Sequence, residues 1–139
     1  MITKELIKEV TVTLLRTAEI ALPGDVKAAL DRAYECEAKE LAKVQVKAML
    51  ENVKLAVALQ RPLCQDTGIP LFFVKLGRGC VSLCDIEEGI REGVRVATET
   101  IPLRPNVVNA MTRTGGDMNV GDTMPYIQYK LADSDGRIV

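Results

Sequence analysis

Apolar residues recur at helical spacing through the first half of the chain. Thr3 is placed to cap a first helix, with Ile2 and Ile7 set as a hydrophobic staple. Leu6, Val10 and Leu14 mark one face of it, and Pro23-Gly24 ends the run. Asp25 can cap a second helix, running to about Glu37. A third helical pattern spans about Lys39 to Gln60. Its charges, at Glu40, Lys43, Lys47, Glu51 and Lys54, form a narrow solvated stripe beside Leu41, Val44, Ala48, Leu55 and Leu59. So narrow a stripe predicts burial on most sides, by this domain or by a partner. Proline disfavours the α region in the residue before it, so the helix should stop near Arg61-Pro62.

Beyond that break the pattern changes. Leu71-Phe72-Phe73-Val74, between Pro70 and Gly77, reads as a buried strand. Asp85 opens another helix with Glu88 at capping-box spacing, and Ile86, Ile90, Val94 and Ala97 share its apolar face. Glu87 and Arg91 form an i,i+4 pair on it. Gly89 and Gly93 weaken the helix by about 1 kcal/mol each, which predicts close packing at those positions. Residues 101 to 125, punctuated by proline and glycine, read mostly as loop. Tyr126 to Leu131 alternates, with Ile127, Tyr129 and Leu131 on one side, and Asp133-Ser134-Asp135-Gly136 is a turn signal before a return strand at Arg137. A return arm ending at Val139 would leave its partner strand unpaired, so the chain reads as the N-terminal part of something longer. The expected class is α+β: a helical N-terminal half packed on a small mixed or antiparallel sheet.

Composition narrows the function classes. The chain has 139 residues, 47% hydrophobic and 27% charged, which suits one globular domain. A net charge of −1, with no basic cluster or aromatic platform, gives no reason to expect nucleic acid. No apolar run approaches the roughly 18 residues of a membrane span, and Met1-Ile2-Thr3-Lys4-Glu5 does not resemble a signal peptide, so the expected location is the cytoplasm. Thiols stay reduced there, so Cys36, Cys64, Cys80 and Cys84 are read as packing residues or metal ligands before disulfides. Histidine is absent, which removes imidazole chemistry and imidazole zinc ligands from this chain.

The richest stretch chemically is Leu63-Cys64-Gln65-Asp66-Thr67-Gly68, where a cysteine meets an amide, a carboxylate and a glycine at a helix end. It can be a thiolate ligand with substrate-facing polar neighbours, or a buried thiol beside an ordinary turn, since aspartate commonly caps local backbone. Cys80 and Cys84, four apart with Cys36 elsewhere, do not match a standard zinc spacing and are better read as buried small side chains.

The stretch from Asn52 through Cys64-Gln65-Asp66-Thr67-Gly68 to Phe72-Phe73-Val74 resembles the alpha chain of class I fumarate hydratases and L-tartrate dehydratases, the iron–sulfur hydro-lyases. The resemblance continues through Asp85-Ile86-Glu87-Glu88-Gly89-Ile90 and Leu103-Arg104-Pro105-Asn106-Val107-Val108, and more weakly through Asn119 to Pro125. It implies that residues 1–139 are the N-terminal portion of the alpha catalytic domain. In that family the cysteine of this motif is one of three thiolate ligands to a 4Fe–4S cluster whose open iron acts as a Lewis acid on the substrate hydroxyl. Thiolates, being soft, suit such clusters. The resemblance would put Cys64 on the cluster, Gln65 and Asp66 against a hydroxy-dicarboxylate, and Arg104 on a substrate carboxylate through its bidentate fork. It further implies a beta chain or C-terminal domain, which carries the proton-transfer residues, and an even-numbered oligomer.

The sequence departs from the family in two respects. The family's other two ligand cysteines lie beyond residue 139, and Cys80 and Cys84 do not match them, so this chain alone should be inactive. Around residues 119 to 125, Val120, Thr123 and Met124 replace polar members of the family pattern, and Tyr129 stands near a family histidine. These departures keep a second reading open: a non-catalytic module that retains the fold and binds a partner through its helices.

Overall fold

The computed structural model describes residues 2–64, 68–78 and 82–135. They fall into two compact units, one formed by Met1–Leu15 with Asp66–Val139 and the other by Arg16–Gln65. Helix α1 (Lys4–Ile20) contributes to both. The α+β class holds, with helices dominating the first half.

In the first unit, strand β1 (Leu71–Arg78), helix α4 (Leu83–Thr100) and strand β2 (Tyr126–Asp135) follow in order. Helix numbering includes α2 (Gly24–Cys36) and α3 (Glu40–Leu59) of the other unit. The strands pair in parallel, with Leu71 opposite Tyr126 and Val74 opposite Tyr129, and the register shifts after Leu76. The sheet is therefore parallel rather than mixed or antiparallel. Parallel neighbours need a long crossover, and α4 with the loop behind it supplies one. The turn expected over 133–136 is overturned as far as it can be followed: Asp133 to Asp135 continue β2. The return strand expected from Arg137 lies outside the described residues.

Ile7, Val74, Leu76, Ile86, Ile90, Val94 and Val120 form the core, with Phe72 and Ile127 partly buried against it. The predicted apolar face of α4 is the buried one, Val94 and Ala97 being fully inaccessible. Burial of β1 is one-sided. Val74 and Leu76 point inward while Phe73 is 69% exposed. On α1 the inward residues are Ile7 and Thr11; Leu6, Val10 and Leu14 instead line an open apolar groove with Phe72 and Phe73. The glycines of α4 explain this choice of face. A Cβ added at Gly89 would sit 2.9 Å from the Ile7 Cβ, and one at Gly93 would sit 2.6 Å from the Thr11 Cβ. Only a glycine at each position lets α1 approach so closely, as their spacing predicts.

Helix starts follow the sequence unevenly. Thr3 does cap α1, its Oγ1 accepting from the Leu6 N–H at 3.2 Å. Helices α2 and α4 begin one or two residues earlier than expected, at Gly24 and Leu83, with Pro23 and Ser82 in the capping positions and no side-chain cap on either. Asp25 and Asp85 thus lie inside the first turn, where a carboxylate complements the helix dipole without capping it. The expected capping box of Asp85 and Glu88 is replaced by a Glu88–Lys4 ion pair at 2.7 Å.

In the second unit α3 ends one residue before Gln60, which takes a left-handed φ of 52° and donates its N–H to Ala56 and Val57. Of the helix's apolar residues only Val53 and Ala56 are buried. Leu41 is 77% exposed and Leu59 65% exposed, so the burial predicted for this helix is not provided by the described residues of its own unit. The Tyr34 ring, on α2, lies 5.2 Å from the Lys43 ammonium on α3.

Candidate functional site

Cys64 follows directly on the break that ends α3. The Leu63 N–H donates to the Glu19 carbonyl at 2.8 Å, fixing the chain just before it. The Cys64 N–H reaches Asn52 Oδ1 at 3.5 Å, a long contact back to α3. The thiol is free and exposed, at the edge of an open depression of about 410 Å³ lined by Met49, Asn52, Val53 and Leu63 among others. A buried, inert thiol is thus not what the fold makes of Cys64. An exposed soft sulfur beside apolar walls suits one ligand of an iron–sulfur cluster. Among the described residues no group of three or more Cys, Asp or Glu side chains could hold a metal. Gln65 and Asp66 lie outside the described residues.

Arg104 lies in the other unit, on the exposed loop behind α4. Its backbone is held from beneath by a buried amide. Asn119 is 4% exposed and takes a left-handed φ of 66°, a conformation asparagine tolerates. Its Nδ2 donates to the Arg104 carbonyl and to Thr98 Oγ1, both at 3.1 Å. Its Oδ1 accepts from the Asn106 N–H at 2.7 Å and the Val107 N–H at 3.3 Å. Thr98, itself buried on α4, donates to the Val94 and Met118 carbonyls. The Asn106 side chain then donates from Nδ2 to the Gly68 carbonyl at 2.8 Å. The structure thus ties the Arg104 segment to the backbone that follows the Cys64-to-Thr67 motif.

A second set of contacts holds residues 117–124. Arg91 donates to the carbonyls of Gly121, Asp122 and Met124, the shortest contact being 2.7 Å. Arg95 pairs with Asp117. Tyr129 has its phenol pushed above the ordinary value first by burial and then by the nearby Glu87 and Cys84. It is a neutral hydroxyl at neutral pH. Cys84 is exposed, against the reading that buried it, because α4 turns that side of its first turn to solvent; Cys80 lies outside the described residues.

Sequence reasoning singled out Cys64 and Arg104 but gave no role to Thr98, Asn106 or Asn119, and it saw Arg91 only as the i,i+4 partner of Glu87, a pair the structure holds at 3.3 Å. The one local signal was a lone asparagine between apolar neighbours, Met118-Asn119-Val120, before a glycine.

Comparison with known proteins gives the family. The sequence pattern described as Fumarate hydratase (Fumerase) matches residues 8–138. The chain belongs to the fumarate hydratase family. It is 48% identical over 130 residues to a Methanocaldococcus jannaschii protein provisionally named L(+)-tartrate dehydratase subunit alpha, covering 92% of this chain and 46% of that protein. It is 31% identical over 110 residues to the L(+)-tartrate dehydratase subunit alpha of Escherichia coli K12, covering 79% of this chain and 36% of that protein. The same values hold for the Shigella boydii protein of that name. The chain thus spans half or less of the length of these relatives. Among the described residues no helix is long and apolar enough to cross a membrane.

Proposed function

We propose that residues 1–139 form the N-terminal portion of the alpha chain of a 4Fe–4S hydro-lyase acting on a four-carbon dicarboxylate. The observation that carries this reading is the exposed Cys64, opening the Cys-Gln-Asp-Thr-Gly motif inside a family match that spans residues 8–138. Cys64 would furnish one thiolate of the cluster, and the remaining ligands would come from further chain. When bound, the cluster supplies a Lewis-acidic iron for a substrate hydroxyl. This chain's own contribution is binding and orientation. Arg104 would take a substrate carboxylate in its planar fork, and Gln65 and Asp66 would hold the hydroxyl-bearing end. The relatives' names point to L(+)-tartrate, and the family's description points to fumarate and its hydration product. The relatives' subunit naming supports a beta chain or C-terminal domain; the proposal adds an oligomeric assembly and a cytoplasmic location.

A second reading, a non-catalytic helical module, has one observation in its favour: Leu41, Val44, Leu55 and Leu59 of α3 stand exposed, as a partner-binding helix would have them. Anaerobic reconstitution separates the two. The chain combined with the rest of its alpha subunit and the beta chain should colour with iron and sulfide and turn over L(+)-tartrate or fumarate, whereas the chain alone should do neither. Cys64→Ser should abolish turnover. An assembly that stays colourless, or one in which the serine variant keeps its rate, would defeat the hydro-lyase reading.

A further inference from the structure

We infer that Asn106 and Asn119 are positioning residues that set Arg104 for its substrate carboxylate, acting as an amide relay from α4 to the Gly68 carbonyl. The inference rests on the reading of Arg104 as a carboxylate-binding group. The two amides play different parts. Asn119 is buried and has both ends occupied. It accepts from the Asn106 and Val107 N–H groups and donates to Thr98 Oγ1 and the Arg104 carbonyl. It therefore clasps the arginine's own backbone and the two residues after Pro105 against a rigid helix. Asn106 is only partly buried, and its side chain reaches away from that network to the Gly68 carbonyl at 2.8 Å. Its effect is to tie the Arg104 segment to Gly68, just ahead of β1. An arginine that takes a carboxylate through a planar fork needs its backbone held to a fraction of an ångström. The Asn106–Gly68 bond supplies one of the ties that hold it.

The test uses the assembled holoenzyme and succinate, a dicarboxylate with no hydroxyl to eliminate. Succinate affinity is read by calorimetry for the wild type, Arg104→Ala, Asn106→Ala and the double variant. Melting temperature is recorded alongside. Asn106→Ala deletes the side-chain bond to Gly68 but keeps the backbone bond to Asn119, so folding is preserved. Arg104→Ala should weaken succinate by about a hundredfold and Asn106→Ala by about tenfold, with the Asn106→Ala melting temperature near wild type. The double variant should bind no more weakly than Arg104→Ala alone, because the amide acts through the arginine; such non-additivity marks coupled residues. Asn119→Asp keeps both acceptor contacts but sets a carboxylate against the Arg104 carbonyl, and should weaken succinate in the same arginine-dependent way. If Arg104→Ala weakens binding while Asn106→Ala does nothing, or adds fully to it, the relay is wrong and the role of Arg104 stands. If Arg104→Ala leaves succinate binding unchanged, the carboxylate role fails and the relay fails with it.

Discussion

Replacing Gly93 by alanine sets two opposed effects against each other. Alanine favours a helix interior over glycine by about 1 kcal/mol, so on propensity alone α4 should gain. The crossing of α1 reverses the sign. The new methyl would lie 2.6 Å from the Thr11 Cβ, 2.7 Å from its Cγ2 and 3.0 Å from the Lys8 carbonyl oxygen. Ordinary carbon contacts begin near 3.5 Å, so α1 must retreat by about 1 Å. Neither the Cβ nor the carbonyl oxygen is the free end of a flexible side chain. Overpacking of this kind costs about 1–3 kcal/mol, and fixed neighbours place it at the upper end. The net loss is then about 2 kcal/mol. For a chain of 139 residues, an unfolding entropy of roughly 2.1 cal/mol/K per residue converts that to a fall in Tm of about 7 °C. Thermal and urea unfolding followed by circular dichroism would measure it. Gly24→Ala supplies the control, because nothing lies within 4 Å of a Cβ there, and it should leave Tm level or slightly raised. A Gly93→Ala protein as stable as the wild type would refute the close crossing of α1 and α4.

Arg91→Ala should destabilise the chain by about 1.5 kcal/mol, since a charged donor is lost to the carbonyls of Gly121, Asp122 and Met124. Arg91→Lys should recover only part of that, because a compact ammonium cannot span three carbonyls in a fixed fork; a lysine variant with the wild-type urea midpoint would refute the clamp. The Lys4–Glu88 pair predicts a pH dependence. The hydrogen bond from Lys4 holds the Glu88 carboxyl below its ordinary 4.5, and the bond to Glu88 raises Lys4 above its ordinary 10.5. The pair's contribution is therefore present between those two values. It is lost as pH falls through the lowered Glu88 pKa or rises through the raised Lys4 pKa. Both groups are exposed, so the effect is small and salt-sensitive. The Tm difference between wild type and Glu88→Gln should be visible near neutral pH and should shrink as the pH is taken below 4.5 and Glu88 is protonated; a difference that does not shrink in acid would contradict the pairing.

How far the sequence could be read follows from the range of each interaction. The helices rest on local periodicity and were legible: α3 stops before Arg61-Pro62, and Ile86, Ile90, Val94 and Ala97 are the buried face of α4. The inward face of α1 was not legible. Leu6, Val10 and Leu14 have the better apolar period, yet Ile7 and Thr11 are buried, because the gap they fill belongs to glycines more than eighty residues away. Strand direction was misread for a similar reason. A local turn signal at Asp133 suggested a hairpin, but pairing of β2 with β1 across α4 keeps Asp133 to Asp135 extended and the strands parallel. At the candidate site, Cys64 stood out because a thiol beside an amide and a carboxylate announces its chemistry, whereas Arg104 was singled out through the family resemblance alone. The amides that hold the Arg104 segment were not, since an asparagine at a turn looks the same whether it caps local backbone or joins distant segments.

The long loop after α4 shows how one helix can serve both stability and a site. Loops of this length in a compact domain are usually either mobile or functional. This one is anchored by side chains on a single helix. Arg91 takes the carbonyls of 121–124, Arg95 pairs with Asp117, and Thr98 meets the Met118 carbonyl and the Asn119 amide. These residues rise along α4 at spacings of four and three, so they share one face, while Ile86, Ile90 and Val94 build the core. Packing energy therefore fixes the helix, and the fixed helix presents a row of donors to a loop that enters the core through Val120. The loop in turn clasps the backbone of Arg104. If Arg104 takes a carboxylate as proposed, much of the ordering that an unanchored loop would undergo on binding is completed on folding. The replacements at Val120, Thr123 and Met124 need not disturb this arrangement. Arg91 grips this stretch by main-chain carbonyls, which every residue type provides, and the side chain the loop depends on, Asn119, is retained.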